Sequence, residues 1–347
     1  FLKLLFSLVV VISLFTTNIF AQKMDEKIPL NPDVHYGKLD NGITYYVLEN
    51  KKPENRAELQ MVIRAGSLQE DDDQAGLAHF IEHMCFNGTK NLPKNELVGF
   101  LESLGMRFGG DLNANTGFER TYYMLTIPMD RKNVLDTGFQ VLKDWLHNVS
   151  FDSEELEKER GVIMEEWRLY LSGQQRVMKK HFPYIFYKSR YVDRLPIGDT
   201  SVIQNAPRQR FVDFYKEWYR PNLTAIVAVG DFNAEEVIKL IKKKFNDIPN
   251  PKNARPRVDF KLASHEKTLV NIATDKELTN SMITCYFKHE GKPDQSYGSY
   301  KQNIENSLLS AILSNRLKEL TQKSDPPFVF AQAQETHLVS NMSTFYA

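Results

Sequence analysis

Apolar and polar positions alternate along Tyr36–Leu39, Ile43–Leu48 and Glu58–Ala65, and the pattern predicts three strands. The first two flank Asp40-Asn41-Gly42, and Asn-Gly between alternating runs signals a tight hairpin. Leu59, Met61 and Ile63 fall on one face of the third. Polar cap candidates at Asp71–Gln74 precede an apolar helix that ends near Gly88, and Pro93 opens a second helix. Arg120–Ile127 is rich in β-branched and aromatic residues and reads as a strand. Over Lys132–Asn148 the period changes: Leu135, Phe139, Leu142, Trp145 and Leu146 recur at helical spacing. Asp152 with Glu155 resembles a capping box, opening a long helix through Trp167 towards Lys180. Leu223–Val229 reads as a buried strand and Glu235–Phe245 as an amphipathic helix.

Ile248–Arg257 holds three prolines and no apolar period, the mark of a linker. Beyond it, strands are expected at Thr268–Ala273, Met282–Phe287 and Phe328–Ala333, with a helix over Ile304–Leu320. The chain stops in a strand-like run, Ser343–Ala347, with no turn to close it. The expected organisation is an N-terminal domain over 30–250, a linker over 251–260 and a second, incomplete domain over 261–347. Strands and helices mix without a βαβ rhythm, which favours an α+β fold of antiparallel sheets flanked by helices.

Residues 1–21 read as a signal peptide. Lys3 is the basic start, Leu4–Phe15 is almost unbroken apolar chain, and Ala21 precedes a cleavage point at Gln22. The apolar run is short of the roughly 20 residues a membrane span needs. No other stretch is apolar enough for a span. Without an initiator Met, and with an unclosed last strand, the chain reads as a piece of a longer exported protein. The periplasm is the expected location, with secretion or an uncleaved N-terminal anchor as alternatives. Lys+Arg and Asp+Glu are 44 each in 347 residues, so the net charge is zero, against a protein built to bind nucleic acid. Aromatic residues at 12% argue against disorder. Cys85 and Cys285 are too few and too distant for a disulfide framework and read as small buried apolar residues.

The candidate chemistry lies in the first helix. His79-Phe80-Ile81-Glu82-His83 is a His-x-x-Glu-His word. On a helix, residues i, i+3 and i+4 share a face, so His79 and His83 can aim two imidazoles at one metal ion. Zinc accepts imidazole nitrogen readily, and Glu82 is placed to take a proton from a metal-activated water. The bland alternative is a packed histidine pair without metal. A hydrolytic zinc site needs a third protein ligand. Spacing alone leaves Glu159, Glu165 and Glu166 open, although Glu159 and Glu166, seven apart, fall nearly on one face.

With Glu159-Arg160-Gly161-Val162-Ile163-Met164-Glu165-Glu166 on the later helix, the His-x-x-Glu-His word resembles the pitrilysin/insulinase (M16) family of inverted-motif zinc peptidases. HFIEHMCFNGTK, LESLGMRFGGDLNANT and Asn41-Gly42 strengthen the likeness, which is closest to the exported bacterial branch of that family. It covers Val34–Arg257 well. It is weaker beyond Lys261, where Asn315–Glu319 is similar to the family's second domain.

The resemblance implies one Zn2+ per chain held by His79, His83 and Glu166, with Glu82 as general base and Glu159 supporting the site. It also implies that Asn113 and Ala114 lie on an edge strand that receives a peptide or unfolded protein. The alternative reading of Asn113–Thr116 is a polar turn leading into the Arg120 strand. Family members close two similar halves around substrate, so the C-terminal half of the same protein, or a homologous subunit, is an expected partner. The expected function is zinc-dependent endopeptidase; the alternative is a non-catalytic structural or peptide-binding subunit of the same family.

Overall fold

The computed structural model describes residues 24–347 apart from 94–95, 104–105, 108, 132 and 292–294. The leader-like segment Phe1–Gln22 lies outside the described residues, as does Lys132. The chain divides into two compact units. One comprises residues 31–180 and 190–260; the other, in its described part, comprises 24–30, 181–189 and 261–347.

The first unit is built on a six-stranded sheet in the order β1-β2-β6-β3-β5-β4. Its strands are β1 (His35–Lys38), β2 (Thr44–Glu49), β3 (Arg56–Ile63), β4 (Leu112–Thr116), β5 (Thr121–Pro128) and β6 (Thr224–Gly230). The period-two pattern has the expected consequence. Ala57, Leu59, Met61 and Ile63 of β3 and Tyr123, Leu125 and Ile127 of β5 are all buried. The sheet is antiparallel except where β6 enters between β2 and β3 and runs parallel to β2. A parallel neighbour needs a long crossover, and the chain between Glu49 and Thr224 provides it.

Helices cover that sheet. The site-bearing α1 (Leu77–Phe86) is followed by α2 (Glu96–Ser103) and α3 (Val134–His147). Phe139, Leu142, Trp145 and Leu146 of α3 are fully buried, each worth about 1.5–3 kcal/mol for a Leu- or Phe-sized side chain. Gly138 permits the close approach: a Cβ there would stand 2.7 Å from Leu59 Cδ1. Next come α4 (Ser153–Leu169) and α5 (Gly173–Ile185), the latter belonging to this unit only as far as Lys180. The long helix expected from Asp152 to Lys180 is thus two. The turn at Tyr170–Ser172 breaks it, and the Ser172 hydroxyl accepts the Gln175 N–H at 3.4 Å, a local bond that competes with helix continuation. The unit is completed by α6 (Thr200–Asn205), α7 (Arg208–Trp218) and α8 (Ala234–Phe245).

The second unit has a three-stranded sheet, β7-β9-β8, and one long helix. The elements are β7 (Tyr286–Glu290), α9 (Tyr297–Thr321), β8 (Gln334–Val339) and β9 (Met342–Tyr346). The terminal run forms the central strand, paired to both neighbours. Thr268–Ala273 and Phe328–Ala333, expected as strands, are irregular, and the strand expected from Met282 starts at Tyr286. β-rich composition needs a neighbouring strand to take its backbone groups. Val270 and Ile272 instead stand 73% and 88% exposed. Cys85 is buried as expected, whereas Cys285 is exposed.

Candidate metal centre

Helix α1 starts sharply. Gly76 takes a left-handed φ of 102°, and the buried Glu70 carboxylate accepts the Ala78 N–H at 2.8 Å. Leu77, Ala78, Phe80, Ile81, Met84 and Cys85 are fully buried. At its far end the Trp145 indole donates to the Cys85 carbonyl at 2.8 Å. A helix gripped on so many sides has little freedom to roll, and it turns His79 and His83 to one face. Their rings meet edge to face with centroids 4.8 Å apart.

The other half of the cluster comes from α4. Asp152 caps it, accepting the N–H groups of Glu154 and Glu155. One helix face then presents Glu159 and Glu166 to α1. Glu166 Oε2 lies 3.6 Å from His79 Nε2 and 3.6 Å from His83 Nε2. Glu159 Oε1 lies 2.7 Å from His83 Nδ1. Glu165 turns outward to Arg168, so the structure separates the neighbours that spacing left open.

His79, His83 and Glu166 offer ligand atoms within 4.8 Å of one another. Four ligands about 2.0–2.1 Å from a tetrahedral zinc ion stand roughly 3.3–3.4 Å apart, so the two separations of 3.6 Å fit one. Burial, then the neighbouring His83, pulls the His79 pKa down to about 3, so that imidazole stays neutral, as a ligand must. Burial also pulls His83 down. The Glu159 hydrogen bond and the charges of Glu159, Glu82 and Glu166 outweigh it and leave His83 raised. That surplus of negative charge is what a cation would neutralise. In the neutral ring, the form that binds metal, the Glu159 bond makes Nδ1 the protonated nitrogen and leaves the Nε2 lone pair facing Glu166.

Glu82 is buried beside the pair. Burial raises its pKa to about 7, against the Thr116 hydroxyl that lowers it. Thr116 Oγ1 donates to Glu82 Oε2 at 2.5 Å, while the Thr121 hydroxyl is spent on the Ala65 carbonyl at 3.0 Å. Sequence reasoning missed this contact, since Thr116 lies 34 residues from Glu82 and only the sheet brings it there.

Asn113 and Ala114 lie on β4, the edge strand of the six-stranded sheet, opposite Met124 and Tyr123 of β5. The run is therefore a strand and not a turn. The Ala114 N–H is met by its neighbour's carboxamide oxygen at 2.9 Å. Neither residue belongs to the metal cluster; Thr116 at the end of the same strand connects it to Glu82.

Comparison with known proteins places the whole chain in a family. Residues 45–197 match the model of insulinase, peptidase family M16, and residues 205–328 that of the peptidase M16 inactive domain. The probable zinc protease PqqL of Haemophilus influenzae is 36% identical over 90% of this chain and 34% of its own length. The Escherichia coli protein of that name is 33% identical over 86% of this chain and 32% of its own. A crystal structure of the first half of the periplasmic protease PqqL from Escherichia coli superposes with a TM-score of 0.84 at 31% identity. That match covers 92% of this chain and 68% of the solved one. The chain thus spans about a third of the length of the curated relatives it matches.

Proposed function

The chain belongs to the insulinase family of peptidases, family M16, and from that premise we propose that it carries the zinc site of an endopeptidase acting on peptides or unfolded proteins. The single observation that carries the reading is the convergence of His79 Nε2, His83 Nε2 and Glu166 Oε2, with a buried carboxylate beside them.

In this proposal His79, His83 and Glu166 hold one zinc ion. Bound there, zinc supplies a Lewis acid that polarises a carbonyl and lowers the pKa of a water to about 7. Glu82 takes the proton of the attacking water and returns it to the leaving amine. Thr116 holds Oε2 of that carboxylate, so Oε1 is the oxygen that works. A pKa lifted towards neutrality by burial suits a group that must both accept and donate. Glu159 holds His83 in the tautomer that offers Nε2.

Substrate adds to the open edge of β4 as an extended strand, its main chain meeting that of Asn113 and Ala114. The relatives are about three times as long as the matched region. A further half of the same type, or a homologous subunit, closing over the substrate is part of the proposal. So is a periplasmic location, in line with the relative from Escherichia coli and the leader-like start. No helix among the described residues is long and apolar enough to cross a membrane. All four of His79, Glu82, His83 and Glu166 are present, which favours the peptidase over a non-catalytic subunit.

The test is zinc content by native mass spectrometry, followed by cleavage. The wild-type chain is expected to carry about one zinc. Glu82→Gln should keep it while losing cleavage by roughly 100-fold or more, the scale of general acid–base assistance. A folded chain without zinc, or a Glu82→Gln variant cleaving at the wild-type rate, would refute the reading.

A further inference from the structure

Asn87 follows α1 directly and stands four residues beyond His83. Its side-chain nitrogen lies 2.6 Å from Glu159 Oε2 and 3.4 Å from the His83 carbonyl oxygen. The other oxygen of Glu159 lies 2.7 Å from His83 Nδ1. Both oxygens of this one carboxylate are therefore held by the end of α1, one by the imidazole and one by the carboxamide. Residues four apart on a helix stack on the same face, so the two contacts arrive from one side of the carboxylate.

This arrangement removes a freedom the glutamate would otherwise keep. The last torsion of a Glu side chain is broad and nearly two-fold, and with a single partner its oxygens can swing or exchange. With a partner on each oxygen they cannot. We infer that Asn87 is a positioning residue for the metal centre: it locks the Glu159 carboxylate, which in turn holds the His83 ring with Nε2 towards His79 and Glu166. The inference rests on the metal reading above and extends it by one link, from ligand to orienting carboxylate to the amide that fixes that carboxylate.

Asn87 has a second, purely structural task. Its backbone N–H bonds the Met84 carbonyl and ends the helix. Asn87→Gly keeps that backbone N–H and deletes only the carboxamide. Asn87→Asp keeps the shape and sets a second carboxylate against Glu159.

Zinc affinity of the full chain, measured at pH 7 by competition with a chromophoric chelator, reads the difference. Asn87→Gly should weaken zinc about tenfold, the lower end of the roughly 10–100-fold cost of losing an outer partner of a metal ligand. Asn87→Asp should weaken it further, and gives the same reading if the glycine variant folds poorly. In a Glu159→Ala background, Asn87→Gly should change affinity less than about twofold, because the residue it acts through is gone. Nitrogen-15 spectra of the apo chain, recorded at a pH where the His83 ring is neutral, supply a readout no helix cap would move: in Asn87→Gly, His83 should pass from one Nδ1–H tautomer to a mixture. Unchanged affinity in both variants, or an equal loss with and without the Glu159 side chain, would overturn the inference while leaving the zinc site standing. A wild-type chain that takes up no zinc would bring down the metal reading and this inference with it.

Discussion

Helix α1 in the first unit and helix α9 in the second show how differently one chain can treat a helix. α1 runs from Leu77 to Phe86 and buries Leu77, Ala78, Phe80, Ile81, Glu82, Met84 and Cys85. α9 runs from Tyr297 to Thr321 and buries no residue. Its apolar positions Ile304, Leu308 and Ile312 recur at helical spacing yet are about half exposed. Both helices are properly started, α1 by Gly76 and Glu70 and α9 by Ser296, which accepts the Ser299 N–H. Capping and periodicity make a helix; only packing on several sides holds one still. A catalytic constellation needs its groups held to about 0.5 Å, and α1 has the contacts to do that.

Phe80→Ala is the severest way to test that contrast. Its ring is fully buried and meets Phe211 edge to face with centroids 4.7 Å apart. Truncation should cost about 3–5 kcal/mol in urea unfolding. A loss of less than about 1 kcal/mol would mean that α1 is not clamped as described.

Glu70 gives a sharper, smaller test of the grip on the start of α1. It is fully buried, its Oε2 has no hydrogen-bond partner among the described residues, and burial raises its pKa from 4.5 to about 8. Between those values the folded chain keeps a proton that the unfolded chain has released, so stability falls as pH rises through the window. Glu70→Gln still accepts the Ala78 N–H and has no proton to lose. It should flatten the fall between pH 5 and pH 8 by about 1–3 kcal/mol, the cost of a buried polar group left unsatisfied. Urea midpoints at pH 5, 6.5 and 8 in the presence of a chelator would measure this. An equally steep fall in the variant would place the pH dependence elsewhere.

The smallest effect is expected on the other side of the comparison. Leu308→Ala on α9 should cost under about 0.5 kcal/mol, as substitutions at exposed positions do. A cost approaching that of Phe80→Ala would show that this face is covered in solution, and the contrast between the helices would disappear.

The two units also differ in how far their sequences could be read. In the first, β3, β5, α3 and α8 are long periodic runs with one buried face, and pattern and structure agree to within a few residues. In the second, Val270, Ile272, Val329 and Phe330 have strand-like composition and form no strand. A strand depends on a neighbour that often lies far along the chain, and composition carries no record of it. The parallel entry of β6 beside β2 was hidden for the same reason.

At the site, the sequence by itself determined the pairing of His79 with His83 and the place of Glu82 next to them. Those relations lie within one turn of one helix, and 3.6 residues per turn is a local property of the backbone. Tertiary structure alone decided the rest: that Glu166 faces the histidines while Glu165 faces Arg168, that Thr116 reaches Glu82, and that Asn87 and Glu159 meet. Each of those contacts joins separate elements, or turns one residue of a helix in and its neighbour out. Such choices are set by how helix and sheet pack on a shared core, and side-chain type alone does not encode them.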